Sequence, residues 1–166
     1  LGYSFKEISA LYSGIPYTVN SSWKEMRSAG TFLCSPFDLG GNCYATYSDI
    51  LFRKSTIDLL GKSQKPIAIV VDSFWRKRYN GRSEADFKRC EKVVVRNRKA
   101  IDLGVNLDPQ IANSEFVGVA RFSRKAMEMI KGIGFAKKES LKVKNLSGMI
   151  DLLRSNGLEV EVIDVK

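Results

Sequence analysis

Several apolar runs in this chain stop at a carboxylate, and those positions set out the chemistry open to it. Asn42-Cys43-Tyr44-Ala45-Thr46-Tyr47-Ser48-Asp49 reads as a strand that delivers Asp49 at its C-terminal end. In open α/β sheets that end is where ligands bind, and a carboxylate there can hold Mg2+ against phosphate oxygens. Asp49 could instead end the strand and cap the next turn; spacing leaves both readings open. A second strand ends the same way at Val70-Val71-Asp72-Ser73, followed by the aromatic and basic run Phe74-Trp75-Arg76-Lys77-Arg78-Tyr79. Were the two strands parallel neighbours, Asp49 and Asp72 would share an edge with that loop, the elements of an anion pocket with a metal. Asp72 as a structural cap is the alternative. Glu115, ahead of Phe116-Val117-Gly118-Val119-Ala120, could reach into the same cleft or be a solvated strand end, and Arg121 and Lys125 beyond it could neutralise phosphate or lie on the surface.

The charge balance agrees with an anionic ligand. The chain has 27 Lys and Arg against 18 Asp and Glu, a formal net charge of +9. That suits a nucleotide, a phosphorylated metabolite or nucleic acid, or is simply a basic surface. The bias is strongest from Arg76 to Lys99, where Glu84, Asp86 and Glu91 are the acids among many cations. No His is present, so His-based triads, His–metal sites and imidazole acid–base chemistry are excluded. Cys34, Cys43 and Cys90 are odd in number and far apart, which argues against zinc and a disulfide framework and fits a reducing cytoplasm. No stretch reaches the roughly 20 apolar residues a membrane helix needs. The chain starts at Leu1 rather than Met, so an upstream segment is to be considered.

These residues need elements to position them. Phe5, Ile8, Leu11 and Tyr12 recur at helical spacing before Gly14 and Pro16, and Pro16 to Asn20 reads as a short strand. Ser28 to Ser35 suits a helix with a Ser cap, and Lys54 to Lys62 another. Ile67 to Val71 is apolar on both faces, as a central parallel strand requires. Lys92 to Val95 and Ala100 to Leu103 flank Arg96-Asn97-Arg98-Lys99, a hairpin with a basic turn. Val117 to Phe122 is a strand, Ser123 caps a helix carrying Ala126, Met127 and Ile130, and a helix around Leu146 to Leu153 ends at Asn156-Gly157. Lys137 to Lys144 reads as a solvated helix end and loop, and Leu158 to Val165 as the last strand. Alternating strands and helices predict one α/β domain over 1–166, a Rossmann-like mixed, mostly parallel sheet flanked by helices with a small antiparallel hairpin insertion.

Taken together, Tyr47-Ser48-Asp49-Ile50-Leu51-Phe52, the Val70 to Tyr79 segment, and Ser114 to Ser123 resemble the sugar-nucleotidyltransferase-like family. Within it they are similar to the cytidylyltransferase domains associated with phosphoenolpyruvate mutase, which act on phosphonates and have relatives acting on phosphocholine. The resemblance covers nearly the whole chain, including Leu103 to Pro109. It implies transfer of a nucleotidyl group from CTP or another NTP to a phosphonate or phosphorylated small-molecule acceptor, with pyrophosphate released, Mg2+ as cofactor and a homodimer as the assembly. It implies Mg2+ on Asp49, an acceptor pocket near Asn20 and Ser28-Ala29-Gly30, and a grip on the acceptor by Arg76 and Arg78; the strand-end reading adds Asp72 and Glu115 to the candidate substrate-binding residues.

Two departures qualify the resemblance. Family members begin with a strand, a GxGxR loop and a Pro-Lys pair that cradle the NTP, and Leu1 falls after that point. They also continue past the strand equivalent to Val160 to Lys166 into a turn that supplies a second metal ligand. Asn106 stands where relatives commonly have Lys, which weakens one phosphate contact. The chain alone is therefore expected to bind CTP weakly and not to turn over, with part of its sheet exposed. A non-catalytic remnant that keeps an anion site is the alternative. Nucleic-acid binding rests on charge alone, because Phe74, Trp75 and Tyr79 are too localised for a stacking platform.

Overall fold

The computed structural model describes residues 1–36 and 40–165, without the side chains of 134–138. The elements in order are α1 (Phe5–Leu11), α2 (Ser28–Phe32), β1 (Cys43–Thr46), α3 (Lys54–Lys62), β2 (Ile67–Asp72), α4 (Trp75–Arg78), α5 (Glu84–Arg89), β3 (Lys92–Arg96), β4 (Lys99–Gly104), β5 (Ser114–Phe122), α6 (Arg124–Lys142), α7 (Leu146–Ser155) and β6 (Val160–Asp164). No helix among the described residues is long and apolar enough to cross a membrane.

The strands form one sheet in the order β1-β5-β2-β6-β4-β3. Lys92 and Val93 of β3 also pair with Glu115 and Ser114 of β5, so the far side of the sheet closes back on its middle as a small barrel. The mixed α/β class is as expected, but the sheet is not mostly parallel. Among the described residues only β2 and β6 run parallel; β1–β5, β2–β5, β3–β4, β3–β5 and β4–β6 are all antiparallel. A run apolar on both faces reports that a strand is covered on both sides, not which way its neighbours run.

β2 shows how the core is divided. Its alternate residues Ile67, Ile69 and Val71 face a core shared with Ala29 of α2, Ala126 and Ile130 of α6, and Leu146, Ile150 and Leu153 of α7. Ala68 and Val70 face the other way, toward Leu60 of α3, Val119 and Ile163. The period of two thus splits one strand between two helical layers. A third cluster, Trp75, Cys90 and Ala112 with Tyr79 and Phe87, holds the short helices α4 and α5 at the sheet edge.

Local signals account for most element ends. The Ser123 hydroxyl accepts from Ala126 N at 3.3 Å and starts α6. Asn97 and Arg98 both have positive φ, 48° and 60°, as a tight hairpin turn with the right twist requires. Gly157, at φ 92°, follows the Asn156 cap and ends α7. Ser28 is the first residue of α2 and Arg27 its cap. The expected strand over Pro16 to Asn20 does not form; among the described residues its backbone pairs with Leu1 alone, through Leu1 N to Thr18 O at 2.5 Å and Asn20 N to Leu1 O at 2.7 Å. A strand needs a neighbouring extended segment to take up its backbone donors and acceptors, and one residue does not supply it. The solvated tail expected around Lys137 and Lys138 falls partly outside the described side chains.

Candidate functional site

β1 and β2 are each antiparallel to β5, which lies between them, so their C-terminal ends emerge at one edge, beside the N-terminal end of β5. Asp49 and Asp72 therefore come to the same edge without being on neighbouring strands. A cleft of about 960 Å³ opens there, and Asp49, Asp72, Arg78 and Glu115 line it. Its size is that of a cofactor or nucleotide pocket.

Asp72 is buried at 3% exposure and makes two kinds of contact. Its Oδ1 accepts from Phe74 N at 2.8 Å, the turn-capping role, and its Oδ2 accepts from Arg78 Nε. A buried carboxylate is tolerated because it is both paired and hydrogen-bonded. Directly across on β5, Glu115 Oε1 accepts from the Tyr79 hydroxyl at 2.6 Å. Burial pushes the Glu115 carboxyl above the usual carboxylate range, and the Asp72 charge adds to this, while the Tyr79 hydrogen bond opposes it. Burial, then Glu115, raises the Tyr79 phenol as well. On the other side of Glu115, the buried Lys92 ammonium donates to the carbonyls of Val105 at 2.7 Å, Cys90 at 3.1 Å and Lys88 at 3.4 Å.

The sign of the Glu115 shift gives a test. A carboxyl whose folded pKa is raised favours the native state at low pH, and that contribution is lost as pH rises past the unfolded value toward the folded one. Glu115→Gln keeps an acceptor for Tyr79 and removes the charge facing Asp72. It is expected to be more stable than the parent at neutral pH, with the difference disappearing near about pH 3.5, as read from urea midpoints.

The other predicted residues lie outside the lining. Arg76 turns away, donating through Nη2 to Ala112 O at 2.7 Å and to Pro109 O, with its guanidinium 4.9 Å over the Trp75 ring. It ties the β4–β5 connection to α4. Asn20 is buried; its amide donates to Thr31 Oγ1 at 3.1 Å and its Oδ1 accepts from Ser22 N at 3.0 Å. The Ser28 hydroxyl accepts from Leu146 N at 2.8 Å and so joins α2 to the start of α7.

Other lining residues had no individual role assigned from the sequence, Arg82 being noted there as part of the basic Arg76 to Lys99 run that suits phosphate. Tyr47 donates to Glu91 Oε1 at 2.5 Å, and Glu91 Oε2 accepts from Ser147 N at 3.1 Å, near the start of α7. Burial, reinforced by the Glu91 charge, pushes the Tyr47 phenol up. Asp164 accepts from Ser73 N at 3.2 Å and from its hydroxyl at 2.7 Å. Asp164 carried the same signal as Asp49 and Asp72, an apolar run closing on Asp at Val162-Ile163-Asp164. Arg53 and Arg82 complete the charged lining. Tyr47 and Glu91 had no local signal, because each acquires its role from a partner 44 residues away.

Asp49 differs from the other cleft acids. It is exposed, in the turn after β1, and its carboxylate has no hydrogen-bond or ion-pair partner among the described residues. Among those residues no group of three or more His, Cys, Asp or Glu is placed to hold a metal ion. Mg2+ keeps several waters and is commonly held by one or two carboxylates together with substrate phosphates. The donor set fits an ion that arrives with a phosphate ligand and does not fit a cage of protein ligands.

Neither a family model nor a curated protein matches the chain by sequence. Solved structures do match its fold. The inositol-1-phosphate CTP transferase of T. maritima superposes with a TM-score of 0.70 at 19% identity, covering 98% of this chain and 63% of that one. A Bacillus anthracis protein described as a glucose-1-phosphate thymidylyltransferase, in complex with a sucrose, gives 0.71 at 15% identity, covering 98% and 64%. A nucleoside-diphosphate-sugar pyrophosphorylase from Vibrio cholerae gives 0.57 at 11% identity, covering 99% and 70%. The chain has the fold of these proteins and spans less than two thirds of the first two.

Proposed function

We propose that this chain is part of a Mg2+-dependent nucleotidyltransferase, cytidylyl-transferring by preference, acting on a phosphonate or phosphorylated small molecule. The observation that supports this most is the exposed Asp49 carboxylate lining a cleft at the strand ends, without a partner among the described residues, in a fold shared with nucleotide-transferring proteins. An acceptor phosphonate or phosphate oxygen attacks the α-phosphorus of the NTP. A new P–O bond forms there, and the bond to the β-phosphate oxygen breaks with its electron pair, releasing pyrophosphate. Asp49 would hold Mg2+, which when bound neutralises charge developing on the phosphate oxygens.

The remaining cleft groups position rather than react. The Asp72–Arg78 pair fixes the start of the 74–82 segment, and Tyr79 locks onto Glu115. Tyr47, through Glu91, sets the wall two residues before Asp49. Asn20 and Ser28 brace α2 behind that wall.

Titrating the full-length protein with CTP at increasing Mg2+ and repeating with Asp49→Ala tests the reading. The parent is expected to bind CTP in a Mg2+-dependent way and, with a phosphonate acceptor, to release pyrophosphate. The Asp49→Ala protein is expected to lose the metal dependence and about 100-fold or more of the turnover. Metal-dependent binding unchanged in the variant would remove Asp49 from the site.

A further inference from the structure

We propose that Arg53 and Arg82 are the pair that binds a ligand phosphoryl group in this cleft, rather than Arg76 or Arg78. The assignment rests on the nucleotidyltransferase reading for the nature of the ligand and adds the residues that grip it.

The argument starts from which cations are already engaged. The cleft is lined by Asp49, Asp72, Glu91, Glu115 and Asp164 against Arg53, Arg78 and Arg82, an acidic surround on a chain of net charge +9. An anion entering it needs guanidinium donors that are not already taken. Arg78 is paired with Asp72, whose side chain is only 5% exposed, so turning to a ligand would leave a buried carboxylate without its counter-charge. Arg76 holds two main-chain carbonyls outside the lining.

Arg53 and Arg82 are in the opposite condition. Both are exposed, and among the described residues neither side chain has a hydrogen-bond or ion-pair partner. Arg82 lies over the Tyr79 ring with its guanidinium carbon 5.0 Å from the centroid. Stacking holds the plane of the fork and leaves its N–H donors unused, the condition a bidentate phosphate contact requires. The ring beneath is itself fixed, by its hydroxyl on Glu115 and by edge contacts with Trp75 and Phe87. Arg53 closes the β1–α3 connection that carries Asp49, so a carboxylate and a free cation share one loop. Arg53, in the connection after β1, and Arg82, in the loop after α4, line the same cleft, so both can face one bound ligand.

Calorimetric titration of the chain with methylphosphonate, without metal and at low salt, tests the pair. The parent is expected to bind, and R53Q and R82Q each to weaken binding about tenfold. R82K should recover only part of the loss, because an ammonium cannot make the fork contact. R89Q, on the far end of α5 and outside the cleft lining, carries the same charge change and is expected to bind as the parent does. Equal weakening in R89Q, no weakening in R53Q and R82Q, or no binding by the parent would each overturn the proposal. Asp49→Ala is expected to leave this metal-free binding intact. Loss of the transferase reading would therefore show in the CTP titration alone, and loss of the arginine pair in this one alone.

Discussion

Trp75→Ala is expected to lower the unfolding free energy by about 3–5 kcal/mol, among the largest losses a single truncation in this chain can cause. Trp75 is fully buried at 0% exposure. Its ring stacks on Phe87 at 5.1 Å, meets Tyr79 edge-on at 5.9 Å and carries the Arg76 guanidinium at 4.9 Å. The helices it joins have 4 and 6 residues, too short to persist without packing. Removing the ring leaves a cavity beneath Tyr79, Phe87, Cys90 and Ala112. The loss should reach the cleft, because Tyr79 carries both the Glu115 hydrogen bond and the stacked Arg82. Trp75→Phe separates packing from polarity. The indole Nε1 is buried with no partner among the described residues, so the smaller ring gives up no hydrogen bond there and should cost only about 1 kcal/mol. Urea unfolding followed by circular dichroism measures both. A Trp75→Ala midpoint close to the parent's would show that the α4–α5 layer is not held by this ring.

What could be read in the sequence depends on how local its cause is. The Ile67 to Val71 run, the Asn97-Arg98 turn, the Ser123 cap and the Asn156-Gly157 stop each depend on neighbours in the chain, and each forms where expected. Strand direction depends on which segment inserts between two others. β5 enters between β1 and β2 from 42 positions beyond the end of β2, and no periodicity in either strand announces it. Pro16 to Asn20 shows the converse: a strand-like composition stays irregular where the described residues offer only Leu1 to pair with. The site divides the same way. Asp49 and Asp72 were visible as strand ends, and Asp164 follows the same rule. Which arginines retain free donors is not a property of their neighbours, since Arg76 and Arg78 are engaged by the 109–112 loop and by Asp72, while Arg82 in the same basic run is not.

Gly118→Ala is expected to destabilise the protein by about 3 kcal/mol, by joining backbone strain to the loss of a buried contact. Gly118 lies inside β5 at φ 84°, a conformation that a side chain disfavours. The register of β5 on β2 slips there: Ile69 pairs with Ala120 but Val71 with Phe116, so a bulge falls around Val117, Gly118 and Val119. A methyl group on Gly118 would lie inside the van der Waals surface of the Tyr47 ring, which covers this backbone while Tyr47 N donates to Gly118 O at 2.9 Å. The ring must then move, and with it the hydroxyl that reaches Glu91. Glu91 would keep its bond to Ser147 N and lose the other, leaving a half-buried carboxylate short of a donor. A double-mutant cycle isolates this cause. In a Tyr47→Ala background the clash and the hydrogen bond are both already absent, so Gly118→Ala should cost only the strain, about 1 kcal/mol. Equal costs in the two backgrounds would show that Tyr47 is not what requires glycine there. A larger cost in the parent would place Gly118, Tyr47 and Glu91 in one unit, with the bulge setting the wall from which Asp49 projects two residues later.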